Sequence, residues 1–347
     1  MKTEILKASG EDLERSVRKA AAWIRKGELV AFPTETVYGL GGNGLDSEAS
    51  KKIYAAKGRP SDNPLILHIG SISQLYPLAE EIPEKARRLI DAFWPGPLTL
   101  IFRKTKIVPD ETSGGLQTVA VRMPSDPAAN AFLKACKVPV AAPSANLSGR
   151  PSPTKVSHVI EDMDGRIACI LDGGDVPIGV ESTIVDCTAK TPVLLRPGYV
   201  TKEEMEKVIG PIETDPAITR EGIVSGTQVS RPKAPGMKYR HYAPKAPVTV
   251  ISGSEEAVCA YMKAHSGADV GIITTDEHIG EFHEGTVLSA GTRKDPKTIA
   301  HNLFSVLRAF DSMNVTEILS EDFKDVDIGT AIMNRLLKAA GGHVINV

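Results

Sequence analysis

The sequence predicts an α/β protein in two parts: a twisted mixed sheet with packed helices, then a small C-terminal Rossmann-like α/β domain. Three observations predict it. Short β-branched runs alternate with helical periods through the first two thirds of the chain. Those strands outnumber the helices able to cross between them, which argues against a regular doubly wound sheet. A second strand–helix alternation begins near residue 248, after a break without period. The expected units are a larger domain over 1–210, a Pro/Gly-rich basic linker over 211–247, and a small α/β domain over 248–347.

The elements follow in order. Leu29–Phe32, Leu65–Ile69, Leu98–Phe102, Val119–Met123, Val138–Ala142, Ile167–Leu171, Thr183–Cys187 and Val193–Leu195 are rich in β-branched residues and read as strands. Glu11–Arg25 reads as a helix because Leu13, Val17, Ala20, Ala21 and Ile24 share one face. Ser47–Lys57 starts at Asp46 or Ser47, good caps, and stops before Gly58 and Pro60. Pro83–Phe93 and Pro127–Ala135 open with proline, which suits a first helical turn. Ser152 followed by Pro153 is expected to cap a helix over Thr154–Met163. From 211 to 247 neither period appears. Within Gly222–Pro247, four prolines and three glycines accompany Arg231, Lys233, Lys238, Arg240 and Lys245, without an acid. Beyond it come strands Val248–Ile251, Val270–Thr274, Thr286–Ser289 and Glu317–Leu319, and helices Glu255–His265, Pro296–Phe310 and Ile328–Ala340.

Composition narrows the function. Across 347 residues, 41 basic and 43 acidic groups leave a net charge of −2, and aromatics are 5%. Nucleic-acid readers present a basic surface and stack bases on rings, so neither figure suits one. An RNA-binding module using a local cationic surface remains the alternative to an enzyme. Four scattered cysteines, with no C-x-x-C pair, fit reduced thiols. The start lacks the apolar stretch of a signal peptide and no run is long enough to span a membrane, so a cytoplasmic protein is expected.

Several patterns lack the context that would make them sites. Gly39-x-Gly41-x-x-Gly44 matches the dinucleotide fingerprint but starts six residues after its strand, so a glycine-rich turn is expected. Asp162-x-Asp164-Gly165 lacks the remaining calcium ligands and reads as a helix end. His278 and His283 have no nearby Cys or Glu at ligand spacing and read as surface residues. No Walker lysine, G-x-S-x-G or H-E-x-x-H is present.

Chemistry concentrates instead where strands end: Phe32-Pro-Thr-Glu-Thr-Val-Tyr38, Ala142-Pro-Ser-Ala-Asn146 and Glu181-Ser-Thr-Ile184. Sheet folds place ligands at such loops. Lys57-Gly-Arg59-Pro-Ser-Asp-Asn63 adds two cations, Arg122 and Arg196 end apolar strands, and His68 lies within Leu65–Ile69. A buried strand does not keep a guanidinium without a partner. Guanidinium forks and ammonium groups among hydroxyls suit phosphate and carboxylate. Together they describe a site for a nucleotide and a small carboxylate, without a P-loop.

Thr34-Glu-Thr-Val-Tyr-Gly-Leu40, the Lys57-x-Arg59 and Ser144-x-Asn146 pairs and Ser182-Thr-Ile-Val-Asp186 resemble the YrdC-type threonylcarbamoyl-adenylate synthases. The match runs in order from about 10 to 210. The segment Pro235-Gly-Met-Lys-Tyr-Arg-His-Tyr-Ala-Pro244 with the C-terminal domain resembles the longer, two-domain branch. The resemblance implies a YrdC-like fold and formation of L-threonylcarbamoyl-adenylate and pyrophosphate from L-threonine, bicarbonate and ATP, with Mg2+ held mainly by phosphates. It implies a catalytic set of Lys57, Arg59, Ser144 and Asn146. A threonine pocket would comprise Thr36, His68, Arg122, the Ala142 backbone and Ser182. Nucleotide contacts would come from Arg59, Asn63, Thr118, Ser144, Ser152 and Arg196; separately, the cationic linker residue Lys238 is expected to reach the triphosphate of ATP. Downstream proteins would pass the threonylcarbamoyl group to tRNA, so direct tRNA binding by this chain is not expected. Prolines around Lys238–Tyr242 further suggest a stiff segment that closes over the site as a lid.

Overall fold

The structure is a computed structural model describing residues 2–225, 232–235, 241–323 and 328–347. Its first unit is built on eleven strands among the described residues, in the order β1-β8-β2-β3-β7-β4-β6-β5-β9-β10-β11. These are β1 (Glu4–Lys7), β2 (Val30–Phe32), β3 (Gly39–Asn43), β4 (Ile66–His68), β5 (Leu98–Arg103), β6 (Thr118–Arg122), β7 (Val140–Ala141), β8 (Cys169–Asp172), β9 (Thr183–Asp186), β10 (Val193–Arg196) and β11 (Glu213–Thr214). Parallel pairs (β4 with β6, β5 with β9) alternate with antiparallel ones (β2 with β3, β5 with β6), so the mixed sheet is as expected.

Helices cover both faces. α1 (Leu13–Arg25) buries Val17, Ala20, Ala21 and Ile24, and packs on α5 (Pro127–Cys136) with Phe32, Phe132 and Leu171 beneath. The Asp126 carboxylate accepts from Ala129 N at 2.7 Å, capping α5 before Pro127. On the other face lie α2 (Ser47–Lys57), α3 (Glu84–Phe93), α6 (Val156–Met163) and α7 (Lys202–Ile209), over a core that includes Tyr38, Leu67, Leu100, Val121 and Met205. Two short helices, α4 (Asp110–Ser113) and α8 (Arg220–Val224), complete the unit.

Three expectations are corrected by the fold. The Gly39–Gly44 segment is not simply a turn: Gly39–Asn43 is β3, antiparallel to β2, and only Gly44 begins the turn. Its glycines admit close packing, since a Cβ on Gly41 would lie 2.8 Å from Val140 Cγ1, and one on Gly44 2.2 Å from Leu67 Cδ2. Ser152 does not cap α6, which starts at Val156 with Lys155 in the cap position and no side-chain cap bond. Ser152 and Thr154 turn their hydroxyls elsewhere, to Glu181 and Ser305. Finally, the break after 210 is partly ordered. β11 pairs with β10, and Thr219 Oγ1 accepts from Gly222 N at 3.1 Å to start α8.

The second unit holds β12 (Val248–Ser252), α9 (Glu255–Ala264), β13 (Val270–Thr274), β14 (Thr286–Ser289), α10 (Pro296–Ala309), β15 (Glu317–Glu321), α11 (Gly329–Ala339) and β16 (Val344–Asn346). Every strand pair is parallel, in the order β14-β13-β15-β12-β16, as a Rossmann-like unit requires. The two units share a core: Val37 and Val180 of the first and Tyr242 of the connecting segment pack with Phe304, Leu336 and neighbours of the second. Arg308 of α10 adds a buried bridge, donating to Asp162 Oδ2 at 2.6 Å and to Pro151 O at 3.0 Å. Asp162, at the end of α6, is therefore an inter-unit anchor as well as a helix terminus.

Candidate active site

The polar strand ends meet in one cleft. Thr36, His68, Ala142 and Ser182 line it together with Arg59, Arg122, Ser144, Asn146 and Arg196. The β2–β3 loop is shaped by Thr34, whose hydroxyl accepts from Thr36 N at 3.1 Å and donates to Val37 O at 2.7 Å. That fold-back, available to a short hydroxyl side chain, aims Thr36 inward. Thr36 Oγ1 accepts from Arg122 Nη1 at 2.9 Å. Arg122 stands opposite His68 in the β4–β6 register, and its Nη2 lies 2.8 Å from Glu35 Oε1. The partner demanded by a buried strand guanidinium is thus Glu35.

Across the cleft, Arg196 donates from Nε to Ser182 O and from Nη2 to Ser182 Oγ, each at 3.1 Å. Ser182 Oγ also lies 2.8 Å from Thr99 Oγ1. Burial, with the Arg122 charge beside it, pushes the His68 imidazole down to about 3, so it is neutral at pH 7. Its Nδ1 faces Ile66 O at 3.2 Å. The Ala142 N–H is given to Ile66 O, so a ligand at Ala142 meets its carbonyl.

The remaining expected residues hold other places. Lys57 ends α2 just before Gly58, which takes the left-handed cap at φ +61°. The Lys57 ammonium is buried and donates to the carbonyls of Ser144 and Asn146. Burial and then the Arg59 charge push it well below the usual lysine range. It therefore braces the Ser144–Asn146 loop from beneath, while Arg59 itself lines the cleft and donates to Pro64 O at 3.2 Å. Asn63 is buried in the loop after α2, with its Oδ1 lacking a hydrogen-bond partner among the described residues. Thr118 begins β6, roughly 13 Å along the strand from Arg122. Ser152 is buried and donates to Glu181 Oε1 at 2.5 Å. Lys238 lies outside the described residues.

Sequence reasoning gave no role to Glu35, Arg150 or Glu181, which complete the constellation. Glu35 and Glu181 sit inside the polar strand-end motifs; their signal is an acid beside cations that must be buried. The connecting segment also contributes, because Pro235, His241 and Tyr242 line the cleft and leave a cavity of only about 60 Å3. Tyr242, at φ +66°, packs on Phe304 with ring centroids 5.0 Å apart. Ala243 N donates to Gly149 O at 2.9 Å. His241 Nε2 is buried without a hydrogen-bond partner among the described residues, and burial with the Arg59 charge lowers that imidazole to about 3.

Away from the cleft, His278 is not a plain surface residue. Its Nδ1 lies 3.0 Å from the buried carboxylate of Glu321, and Cys259 stands near both. Glu321 is already satisfied by Arg293 Nη2 at 2.7 Å and by Thr274. Among the described residues no helix is long and apolar enough to cross a membrane.

A cleft of guanidinium and hydroxyl groups on a mixed sheet, closed by a segment leading to a parallel α/β unit, defines a two-unit α/β enzyme that handles anionic substrates. Two family models match the chain: Sua5–YciO–YrdC, described as telomere recombination, over residues 22–198, and threonylcarbamoyl-AMP synthase, C-terminal domain, over residues 200–341. The chain is 51% identical to the threonylcarbamoyl-AMP synthase of Bacillus subtilis (strain 168), covering 95% of this chain and 94% of that one. It is 50% identical to the protein of that name from Pyrococcus abyssi (strain GE5 / Orsay), covering 96% of each. The crystal structure of P. abyssi Sua5 complexed with L-threonine matches with a TM-score of 0.93 at 48% identity, over 99% of this chain and 100% of that one. The chain belongs to the Sua5–YciO–YrdC family of threonylcarbamoyl-AMP synthases.

Proposed function

We propose that the cleft joins L-threonine, bicarbonate (or the carbon dioxide derived from it) and ATP into L-threonylcarbamoyl-adenylate, releasing pyrophosphate. The observation that carries this reading is the convergence of Thr36, Arg122, Ser182 and Arg196 in one cleft. It is supported by the names of the relatives and by the threonine complex of the P. abyssi protein. The threonine amine adds to the carbon of carbon dioxide and loses a proton, giving a carbamate. A carbamate oxygen then attacks the α-phosphorus while the bond to pyrophosphate breaks. No protein nucleophile is needed, so positioning and charge neutralisation supply the catalysis.

Each residue has a place in that scheme. Arg122 forks the threonine carboxylate, Thr36 and Ser182 offer hydroxyls, neutral His68 walls the pocket, and the Ala142 carbonyl accepts from the amine. Arg59 and Arg196 face the phosphates. Ser144, Asn146, Asn63, Thr118 and Ser152 serve the nucleotide side, and Lys57 fixes the Ser144–Asn146 loop. Mg2+ accompanying ATP would be held mainly by the phosphates rather than by this chain's residues, and would supply charge neutralisation for the leaving pyrophosphate. The buried acids of the cleft, Glu35 and Glu181, are already paired with Arg122 and Arg335.

The partition into 1–210, 211–247 and 248–347 belongs to this reading, with the middle segment as a lid that must move for ATP to enter. The narrow cavity behind Pro235, His241 and Tyr242 supports it. The setting is the cytoplasm, where other proteins transfer the threonylcarbamoyl group to tRNA. Pyrophosphate release from ATP, measured with each amino acid and with or without bicarbonate, tests the whole. Release should require threonine and bicarbonate together; release independent of either rejects the reading.

A further inference from the structure

Helix α11 of the second unit bonds Glu181, a residue that lines the cleft. Arg335, midway along it, has no solvent exposure. Its Nε donates to Glu181 Oε2 at 2.9 Å, its Nη2 to Glu181 O at 3.2 Å, and its Nη1 to Pro197 O. Glu181 and Pro197 directly precede Ser182 and follow Arg196, the two residues that bond each other on one wall of the cleft. One guanidinium therefore ties together both loops that carry them. The second oxygen of Glu181 accepts from Ser152, so a third loop hangs on the same carboxylate. Burial pushes the Glu181 carboxyl up, yet the charges of Arg335 and then Arg196 hold it below the usual range. One turn further on, burial with those same two charges lowers Lys338 to about 7, so α11 lies within electrostatic reach of Arg196.

Sequestering a guanidinium and a carboxylate costs several kcal/mol each in lost hydration, and an apolar pair would hold two units together as well. The ionic pair has what an apolar pair lacks: five directed donors that fix distances between loops. We propose that Arg335 is a positioning residue of the substrate cleft, setting the spacing of Ser182 and Arg196 through Glu181 and Pro197. The second unit thereby completes the site rather than merely anchoring the lid. The proposal rests on the cleft being the place where threonine and ATP bind.

The test compares the full-length wild type with R335K, R335M and E181Q, each checked for melting temperature and far-UV circular dichroism. Pyrophosphate release is measured with threonine and ATP varied separately. R335M should raise the KM of both substrates at least tenfold at temperatures well below its melting. R335K, which reaches Glu181 but lacks the fork for Pro197, should recover part of the loss, and E181Q should fall between. A folded R335M with both KM values and kcat within twofold of wild type overturns the proposal. Should R335M fail to fold, R335K with wild-type constants overturns it. If the wild type releases no threonine-dependent pyrophosphate, it is the functional reading that fails. Calorimetric binding of L-threonine and a non-hydrolysable ATP analogue then decides the role of Arg335, and unchanged affinities in R335K reject it.

Discussion

Arg122 and Glu35 form a buried ion pair at 2.8 Å, with side chains 4% and 7% exposed, beside the Thr36 hydroxyl that the same guanidinium holds. Removing one member of such a pair leaves a charge in an apolar setting, at a cost of about 3–5 kcal/mol. On the proposed function the pair couples stability to substrate binding, and the two effects can be separated.

Arg122→Ala should lower the melting temperature and raise the threonine KM, while Arg59→Ala, on the side of the cleft proposed for the phosphates, should chiefly lower kcat. Adding Glu35→Gln to Arg122→Met should restore much of the stability without restoring threonine affinity. Thermal melts beside steady-state kinetics check this. A double variant that regains both would show that Arg122 acts only through folding.

Selectivity for threonine should be steep toward valine and shallow toward serine. Valine keeps the shape but leaves the buried hydroxyl partners unpaired, a penalty of about 10⁴-fold. Serine loses one methyl contact, worth roughly 1–3 kcal/mol. Competition assays with pyrophosphate readout measure both ratios, and equal use of valine and threonine contradicts the pocket assignment.

Acid should unfold this protein partly through its buried histidines. His68 and His241 titrate at about 3 when folded and His158 at about 4, against roughly 6.5 in an unfolded chain. Between those limits the unfolded state binds more protons, so stability is complete above about pH 6.5 and falls as the pH drops toward 3. Each group contributes at most about 1.4 kcal/mol per pH unit. Denaturant melts at pH 7 and pH 5 should differ, and His68→Gln should reduce the difference. None of these groups should produce an inflection in activity between pH 6.5 and 8.

The segment closing the cleft should respond to ligand. Cleavage by a protease between residues 236 and 247 should slow when threonine and a non-hydrolysable ATP analogue are present together. Equal cleavage rates with and without ligands would make the segment a tether.

A chain ending at Gly210 should lose activity without losing any cleft residue of the first unit. Truncation uncovers Val37 and Val180 and leaves the Glu181 carboxylate without Arg335. Size-exclusion chromatography should show association through the exposed face, and full activity in a monomeric truncation would contradict the shared core.

Much of this was legible in the sequence because the information is local. The apolar face of α1, the Asp126–Pro127 start of α5 and the β-branched runs each set their element by short-range periodicity and capping. The clustered strand ends around Thr36, Ser144 and Ser182 likewise announced a polar site, since hydroxyls and amides dense at strand ends have little structural purpose. Some local signals went unread. The capping box of Thr201 and Glu204 begins α7. The run Glu4-Ile5-Leu6-Lys7 forms β1, where exposure rather than polarity alternates, as its place at the sheet edge allows.

Other features were decided only by the tertiary fold. That Gly39–Asn43 is a strand depends on Val140 and Phe32 pressing where side chains would stand. Glu35 became the partner of Arg122 across 87 residues, Asp162 the anchor of Arg308 across 146, and Glu181 the partner of Arg335 across 154. The sequence by itself determined most of the elements, the two-unit plan and the polar loops, because those follow from neighbours within a few residues. Which buried charge answers which other depends on sheet order and the docking of α10 and α11. No local pattern encodes that, because a charge loses its hydration wherever it is buried, and only the assembled fold supplies the counter-charge.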